Sequence, residues 1–366
     1  MKKSKKKSQN FNLARIKVVG IGGAGGHIIT RMGQKEGIKN VEFVAINTDA
    51  QDLEYTQAKR KIYIGKTLTR GLGAGMNPEL GKQAAEENRA EISEALQGAD
   101  IIFITAGLGG GTGSLGSGVV ADIAREAGAL TIAVVTKPFS FEGAQRMRIA
   151  QEALAQLKTK VDTLVIVPND RIFNIINKDT SLIKAFEFVD DILKNAVQAV
   201  TELIVSPGII NLDFADIKAV MKDAGSAIIG IGVTSGAERA VNAVNLAMNS
   251  PLLETSIGGA KGILFSVSGG RDLKMSEVQN IAKVISDNVD TGAKVIFGAY
   301  HDKRLPAKHI KVTIIATGFN NLSPTAKPVS LFGSSQNEAL EEPGEEKVKV
   351  EEKTEIPSFL RRKKHR

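Results

Sequence analysis

Cysteine and tryptophan are both missing from this chain of 366 residues. The lack of cysteine excludes disulfides and thiolate metal sites, and it fits a reducing compartment. Long apolar runs are missing too, so the sequence predicts no transmembrane segment, and no apolar signal-peptide core follows the lysines at the N-terminus. We therefore expect a cytoplasmic protein, and the chain is long enough for two domains with cores of their own.

The formal net charge of +8 is concentrated at the chain ends. Residues 1–12 carry five lysines and no acid, residues 338–352 carry seven glutamates and two lysines, and residues 353–366 carry six basic groups and one glutamate. The part between the ends is close to balanced, so no basic face indicates a specific nucleic-acid partner. The basic ends are either solvated tails or weak, salt-dependent contacts to an acidic partner or anionic lipid.

A dense glycine loop lies between an apolar run and a helical pattern. Residues 101–104 read as a buried strand, residues 107–114 read Gly-Leu-Gly-Gly-Gly-Thr-Gly-Ser, and residues 119–124 follow with helical spacing. Glycine lets the backbone approach a ligand closely, and a helix N-terminus directs free N–H groups at it. Thr112 and Ser114 add hydroxyl groups, so the loop predicts a phosphate site.

Two further glycine clusters point to the same chemistry. Residues 20–26 follow a short strand and contain the Gly-x-Gly-x-x-Gly pattern of dinucleotide-binding domains, for which Asp49, after a strand at 41–46, offers the acid that binds a ribose. Residues 71–75 precede a helical pattern at 78–97. One such loop suffices for a dinucleotide-binding oxidoreductase. Three favour a phosphate chain held by backbone N–H groups, and the oxidoreductase stays open as an alternative.

Strands and amphipathic helices alternate along most of the chain, which predicts a parallel sheet covered on both faces. A long helix over 182–205 carries an apolar stripe that includes Phe186, Val189 and Leu193. After residue 321 the apolar periodicity stops, and the Ser, Pro, Glu and Lys content predicts disorder. The strands are expected near 15–20, 41–46, 101–106, 130–136 and 163–167, and then near 228–233, 263–267, 295–297 and 312–316.

These glycine loops and several shorter motifs resemble one family. The loop from Gly109 to Ser114 is similar to the tubulin signature loop, and the chain resembles the tubulin/FtsZ family of GTPases over about residues 14–320. The supporting motifs stand in the family's order at 47–51 (Asn-Thr-Asp-Ala-Gln), 71–75, 136–143, 168–170 (Pro-Asn-Asp) and 211–216 (Asn-Leu-Asp-Phe-Ala-Asp).

The resemblance implies an α/β fold in which a parallel-sheet nucleotide-binding domain is joined by a long central helix to a second α+β domain. It implies a polymerising GTPase that assembles head to tail into filaments of the division ring and hydrolyses GTP at subunit interfaces in bacterial cytokinesis. Its cofactors would be GTP or GDP and Mg²⁺, with a monovalent cation as a further candidate. A tubulin-like scaffold that binds GTP with little hydrolysis is the alternative.

The implied domain organisation has six parts. They are a basic N-terminus (1–13), a GTP-binding domain (14–181), a central helix (182–206), a C-terminal GTPase-activating domain (207–321), a disordered linker (322–352) and a docking peptide (353–366). In this resemblance, Ile356, Phe359 and Leu360 of the last segment bind membrane tethers and division regulators, which would bring the protein to the inner face of the membrane at the division site.

The implied nucleotide site combines the loops with a few side chains. Glu142 and Arg146 would contact ribose and phosphate, although their i, i+4 spacing alone indicates a surface ion pair. Phe186 would stack on the base, or else belong to the core. Asp190 and His27 would bind the guanine edge, or else Asp190 would pair with Lys194. The remaining implied contacts are Gly22, Gly23, Ala24, Ala74, Gly75, Gly109, Gly110, Gly111, Thr112, Gly113 and Ser114, with Asp49 reaching Mg²⁺ through water.

The implied catalytic residues lie past the long helix. Asn211, Asp213 and Asp216 would enter the nucleotide pocket of the next subunit and polarise the attacking water. From the sequence alone, Asp213 as the N-cap of a helix with Asp216 in its first turn is an alternative that is compatible with this role. Leu115 stands where the family loop has its last glycine, so a positive φ at Leu115 would strain the loop.

Overall fold

The structure is a computed structural model, and it describes residues 14–34, 38, 40–177, 179–205, 208–210, 212–250, 257–302 and 305–319. The predicted basic N-terminus, linker and docking peptide, with Ile356, Phe359 and Leu360, lie outside the described residues. Asn211 lies outside them as well.

The strands form one sheet in the order β3-β2-β1-β4-β5-β6-β7-β10-β8-β9. Strands β1 to β6 pair in parallel, as the alternating pattern predicts, and β10 runs antiparallel to β7 and β8. A short parallel pairing of β6 with β7 joins the two halves. The bounds are β1 Ile16–Ile21, β2 Val41–Asn47, β3 Arg60–Tyr63, β4 Ile101–Gly107, β5 Leu130–Lys137, β6 Thr163–Pro168, β7 Gly225–Ser235, β8 Gly262–Gly269, β9 Lys294–His301 and β10 His309–Thr317.

The helices cover the faces of this sheet. Their bounds are α1 Gly22–Met32, α2 Ala50–Tyr55, α3 Lys66–Thr69, α4 Pro78–Glu87, α5 Arg89–Leu96, α6 Thr112–Glu126, α7 Ala144–Lys160, α8 Leu182–Val205, α9 Phe214–Met221, α10 Arg239–Met248 and α11 Met275–Ser286. Within the described residues, no helix is both long and apolar enough to cross a bilayer.

The sequence predicted all of these strands except β3, and the mixed α/β class is confirmed. Two helix predictions were wrong in detail. The pattern at 78–97 forms two helices, because Asn88 leaves the helical conformation between α4 and α5 and its Oδ1 accepts a hydrogen bond from the Gly65 N–H at 3.0 Å. The first helix begins at Gly22 and not near His27, so most of the glycine cluster is helical.

Helix α8 packs its predicted apolar stripe into the core. Val189, Leu193 and Leu203 are buried, and the buried Tyr300 of β9 donates its hydroxyl to the Leu203 carbonyl at 3.2 Å. Phe186, at the start of the stripe, is 42% exposed. The first turns of α8 therefore extend beyond the core.

Close packing of α1 on β1 depends on two glycines. A Cβ on Gly20 would lie 2.3 Å from the Gly25 carbonyl oxygen, and a Cβ on Gly25 would lie 2.8 Å from the Thr105 carbonyl oxygen. Both distances are far below van der Waals contact. The glycines thus bring the start of α1 down to the sheet edge where β1 and β4 end.

Candidate functional site

A cavity of about 370 Å³ opens at the carboxyl edge of the parallel strands. This is the edge at which open α/β sheets bind ligands. Residues that follow β1, β4, β5 and β6 form its wall, together with the loop before α4 and the first turns of α8. Its lining comprises Ile21, Gly22, Gly23, Ala24, Ala74, Gly75, Gly107, Leu108, Gly110, Gly111, Thr112, Gly113, Thr136, Pro138, Glu142, Arg146, Asn169 and Phe186.

Two helices begin in this wall with uncapped N-termini. Helix α1 starts at Gly22 and helix α6 at Thr112, and neither has a side-chain cap or an acidic residue in its first turn. The first N–H groups of both helices therefore lack the partners that capping normally supplies. Together with the positive end of each helix dipole, they make an anion site.

The three glycine loops meet at this site, as the sequence predicted. A Cβ on Gly111 would lie 2.7 Å from the Cβ of Ala74, and one on Gly113 would lie 2.9 Å from the Gly107 carbonyl oxygen. Gly22 adopts a φ of 70°, which only glycine takes without strain. Larger residues at these positions would push the loops apart.

Ser114 and Gly109 shape the loop and do not line the cavity. The Ser114 hydroxyl accepts from the Gly109 N–H at 2.9 Å and donates to the Gly110 carbonyl at 2.6 Å. The hydroxyl proton of Ser114 is therefore used within the loop, and a contact of Ser114 with a nucleotide phosphate stays a prediction. Thr112 does line the cavity, and its Oγ1 lies 2.6 Å from Oγ1 of Thr48.

Asp49 is the N-cap of α2 and is absent from the cavity wall. Its Oδ1 accepts from the Asp52 N–H at 3.0 Å, and Asn47 donates its amide to Asp52 at 2.7 Å. The dinucleotide-binding alternative requires the Asp49 carboxylate to bind a ribose directly. In the structure, one oxygen of this carboxylate is used in the capping hydrogen bond, which does not favour that alternative.

Glu142 and Arg146 form an ion pair in the cavity wall, with Arg146 Nη1 2.7 Å from Glu142 Oε2. Glu142 Oε1 also accepts from the Phe139 N–H at 2.9 Å, which holds the carboxylate in place. The ion pair predicted from the spacing is present, and because it faces the cavity both side chains are placed to contact a ligand. A fixed carboxylate and a guanidinium side by side suit hydroxyl and phosphate groups respectively.

Phe186 presents an aromatic ring to the cavity. It lies edge-on to the buried Phe139, with ring centroids 5.4 Å apart and planes at 88°. The alternative that Phe186 belongs to the core was wrong, because 42% of the residue is exposed. A half-exposed, supported ring offers a face on which a planar base can stack.

Asp190 follows Phe186 by one helical turn, but neither Asp190 nor His27 is among the residues that line the cavity. Burial raises the pKa of Asp190 from 3.8 to about 6, while the charges of Arg31 and His27 oppose the shift and those of Asp191 and Glu187 add to it. His27 is an exposed side chain whose Nε2 lies 3.6 Å from Asp52 Oδ1. Among the described residues no ion pair joins Asp190 to Lys194, so the alternative of that pair was wrong.

Sequence reasoning missed Asn169 as a site residue, although its motif was noticed. Asn169 is only 7% exposed, it lines the cavity, and its Oδ1 has no hydrogen-bond partner in the described part of the chain. Buried amide oxygens are nearly always bonded, so this one indicates a donor on a ligand. Ile21, Gly107, Leu108, Thr136 and Pro138 were missed as site residues as well, although they lie within the motifs at 20–26, 107–114 and 136–143.

Leu115 is not strained. It lies in α6, is absent from the described residues with positive φ, and is 7% exposed within the core. The expected conflict does not arise because the helix begins at Thr112, before this position.

Asp213 and Asp216 lie at the start of α9, away from the cavity. Asp213 is the N-cap, with Oδ1 accepting from the Ala215 N–H at 3.0 Å, and Asp216 stands in the first turn. The capping alternative is thus confirmed. The other end of α9 contacts the amino-terminal end of β6, where Thr163 donates its hydroxyl to the Met221 carbonyl. The cavity lies at the carboxyl end of the same strand.

Comparison with known proteins decides the family. The model of the Tubulin/FtsZ family GTPase domain matches residues 15–177, and that of the FtsZ family C-terminal domain matches residues 225–320. The chain belongs to the FtsZ family. It is therefore a GTPase of the polymerising tubulin/FtsZ class that binds a guanine nucleotide, and the oxidoreductase alternative is set aside.

Solved structures agree with this FtsZ assignment. An empty FtsZ dimer from M. jannaschii is 49% identical, with a TM-score of 0.78, and the match covers 83% of this chain and 88% of that one. A tryptophan-to-tyrosine variant of M. jannaschii FtsZ is also 49% identical, with a TM-score of 0.79 and coverage of 84% and 92%. CetZ2 from Haloferax volcanii, a protofilament with GTPγS bound, shares the fold at 22% identity, with a TM-score of 0.70 and coverage of 82% and 92%.

Proposed function

We propose that this FtsZ-family GTPase assembles head to tail, so that the start of α9 in one subunit completes the nucleotide cavity of the next. The observation that carries the proposal is the separation of two sets of groups within one chain. Among the described residues, none after Phe186 lines the cavity, whereas Asp213 and Asp216 stand at the start of a helix whose other end contacts the opposite end of β6. These acids can act on a nucleotide only if it is bound by another copy.

Nucleotide binding would use the groups already described. The N–H groups of α1 and α6 take the phosphates, with Ala74 and Gly75 closing over the outer ones. Glu142 and Arg146 hold ribose and phosphate, Phe186 stacks on the base, and Asn169 accepts a ligand N–H or O–H. Asp190, a turn away, accepts from guanine N1–H and N2–H₂, a donor pair that adenine lacks.

The described residues contain no group of three or more metal-ligating side chains. A Mg²⁺ ion would therefore be held mainly by phosphate oxygens and water, with Asp49 reaching it through water, and it would neutralise phosphate charge. The cavity wall agrees with this arrangement, because its described residues offer mainly N–H donors and a single acid, Glu142, which is paired with Arg146.

For hydrolysis, the carboxylates of Asp213 and Asp216 would orient a water molecule and accept a proton from it as its oxygen attacks the terminal phosphate. Asn211, outside the described residues, is proposed as a third polar group at this position. A head-to-tail contact between unlike surfaces propagates into a filament. Leu115 sits in an unstrained helix, which removes one argument for the alternative of a scaffold with little hydrolysis.

The cellular role follows from the family assignment and the tail sequence. We propose that the filaments act in cell division, and that Ile356, Phe359 and Leu360 bind a membrane tether or division regulator, which brings the protein to the inner face of the membrane. These residues form a small apolar cluster in a polar, basic segment, which is typical of a peptide that binds a groove. The solved relatives come from M. jannaschii and Haloferax volcanii, so they lend no weight to a specifically bacterial setting.

A mixing experiment tests the shared site. One variant, Asp213→Ala with Asp216→Ala, keeps the cavity and loses the acids. The other, Gly111→Leu, keeps the acids and loses the cavity, because even a Cβ there would lie 2.7 Å from Ala74 Cβ. Each alone should hydrolyse little GTP. An equal mixture should recover up to about a quarter of wild-type activity, since random head-to-tail pairing restores about that share of interfaces.

The control is a mixture of the acid-less variant with a variant that carries all three substitutions in one chain, which can form no complete site. Recovery in the test mixture only would support the proposal. Absence of recovery, with co-assembly verified by sedimentation of a labelled Gly111→Leu chain, would show that the acids do not act between subunits.

A further inference from the structure

A second, smaller cavity of about 240 Å³ lies at the amino-terminal edge of the sheet, opposite the nucleotide cavity. It is bounded by the end of α6, the residues that precede β5 and β6, and the last turn of α9. Among the described residues, its wall contains three basic side chains, Arg125, Lys218 and Lys222, and one acid, Asp162.

The acid in this wall is already engaged. Asp162 is 4% exposed, its Oδ2 accepts from the Thr131 N–H at 2.8 Å, and its Oδ1 accepts weakly from the Asp223 N–H at 3.4 Å. Its distance to Arg125 Nη2 is 4.0 Å, at the limit of an ion pair. This carboxylate therefore serves the fold and leaves little capacity for the lysines.

The lysine side chains, by contrast, have no partner among the described residues. Arg125 pairs with Asp223 at 2.9 Å, but within the described residues the ammonium group of neither Lys218 nor Lys222 forms a hydrogen bond or ion pair. The one hydrogen bond that joins these two lysines is between backbone groups, from the Lys222 N–H to the Lys218 carbonyl at 2.9 Å. The side-chain groups of this wall that remain available to a ligand are therefore positively charged hydrogen-bond donors. A ligand that matches it must offer several acceptor oxygens and negative charge.

We propose that this cavity is a second anion site, which binds a small polyvalent oxyanion of the phosphate or pyrophosphate class between Lys218, Lys222 and Arg125. The site is distinct from the nucleotide cavity and does not depend on the shared active site proposed above. The last turn of α9 borders this cavity and Asp213 caps the other end of the same helix, whose eight residues span only about 12 Å.

Titration calorimetry with inorganic pyrophosphate tests the proposal on full-length protein saturated with GDP, so that the nucleotide cavity is already filled. We expect one pyrophosphate per chain, with orthophosphate binding more weakly because it carries less charge, and both weakening as salt is raised. Lys218→Gln with Lys222→Gln should weaken binding at least tenfold. Thermal melting of that variant without pyrophosphate checks that it folds.

The matched control is Lys158→Gln with Lys283→Gln, which removes two exposed helical lysines outside the cavity and the same total charge. It should bind pyrophosphate like the wild type. Equal weakening in both double variants would show a general charge effect and overturn the site. So would unchanged binding in Lys218→Gln with Lys222→Gln, or absence of pyrophosphate binding to the wild type at millimolar concentration.

Discussion

Asp190 should destabilise the protein when it is free of nucleotide and strengthen guanine binding when nucleotide is present. Burial raises its pKa from 3.8 to about 6. The folded state therefore holds this proton more tightly than the unfolded chain does. The cost of ionising Asp190 is absent below about pH 4, grows as pH rises, and is complete above about pH 6. At about 1.4 kcal/mol per pKa unit, its upper limit is about 3 kcal/mol.

The substitution Asp190→Asn removes this cost and keeps the shape. In nucleotide-free protein at pH 7.5, we expect the free energy of unfolding to rise by about 1–3 kcal/mol. The gain should shrink as pH falls and be nearly absent at about pH 3.5, where the carboxyl is protonated in both the folded and the unfolded chain. The same variant should bind GTP about thirtyfold more weakly at pH 7.5, because one of the two acceptor oxygens becomes an NH₂ group that faces a guanine donor. This mismatch should cost about 2 kcal/mol of binding free energy.

Chemical denaturation at the two pH values measures the first effect, and competition binding of GTP against ATP measures the second. Asp191→Asn is the matched control, since Asp191 pairs with Arg31 at 3.1 Å and its loss should not stabilise the protein. An Asp190→Asn variant that is no more stable at pH 7.5 would refute the burial argument. Unchanged discrimination between GTP and ATP would remove Asp190 from the guanine contact.

Three further predictions concern other parts of the molecule. GTP turnover per chain should rise steeply with protein concentration, and Asp213→Ala should bind GTP and polymerise yet hydrolyse little; concentration-independent turnover would place the acids' action within one chain. Gly25→Ala should lower the melting temperature, because its Cβ would lie 2.8 Å from the Thr105 carbonyl oxygen, whereas Gly128→Ala, with open space around it, should cost only the strain of a φ of 77°. Deletion of 353–366 should leave GTP hydrolysis and polymerisation intact and abolish binding to a membrane tether. Phe359→Ala alone should greatly weaken that binding. Loss of polymerisation in the deletion variant would contradict the docking role.

The local features of the fold were predictable because each leaves a periodic signal. Apolar runs placed nearly every strand, and the stripe on α8 predicted its bounds. β3 was missed because it is only four residues long and carries two basic side chains. The division of 78–97 into two helices depends on a bond between Asn88 and Gly65, two residues far apart in the sequence. Such long-range bonds leave no trace in local periodicity.

The sequence by itself determined the chemistry of the nucleotide cavity, because glycine loops after parallel strands must meet at one sheet edge. It also contained the family signature and the acids at 213 and 216. Only the tertiary structure decided which side chains face the cavity. In the folded chain Ser114 and Asp49 accept hydrogen bonds from backbone N–H groups, and Phe186 packs against Phe139. The buried Oδ1 of Asn169 has no partner among the residues that the structure describes. Side-chain direction depends on neighbours supplied by distant segments, and those neighbours exist only once the chain has folded.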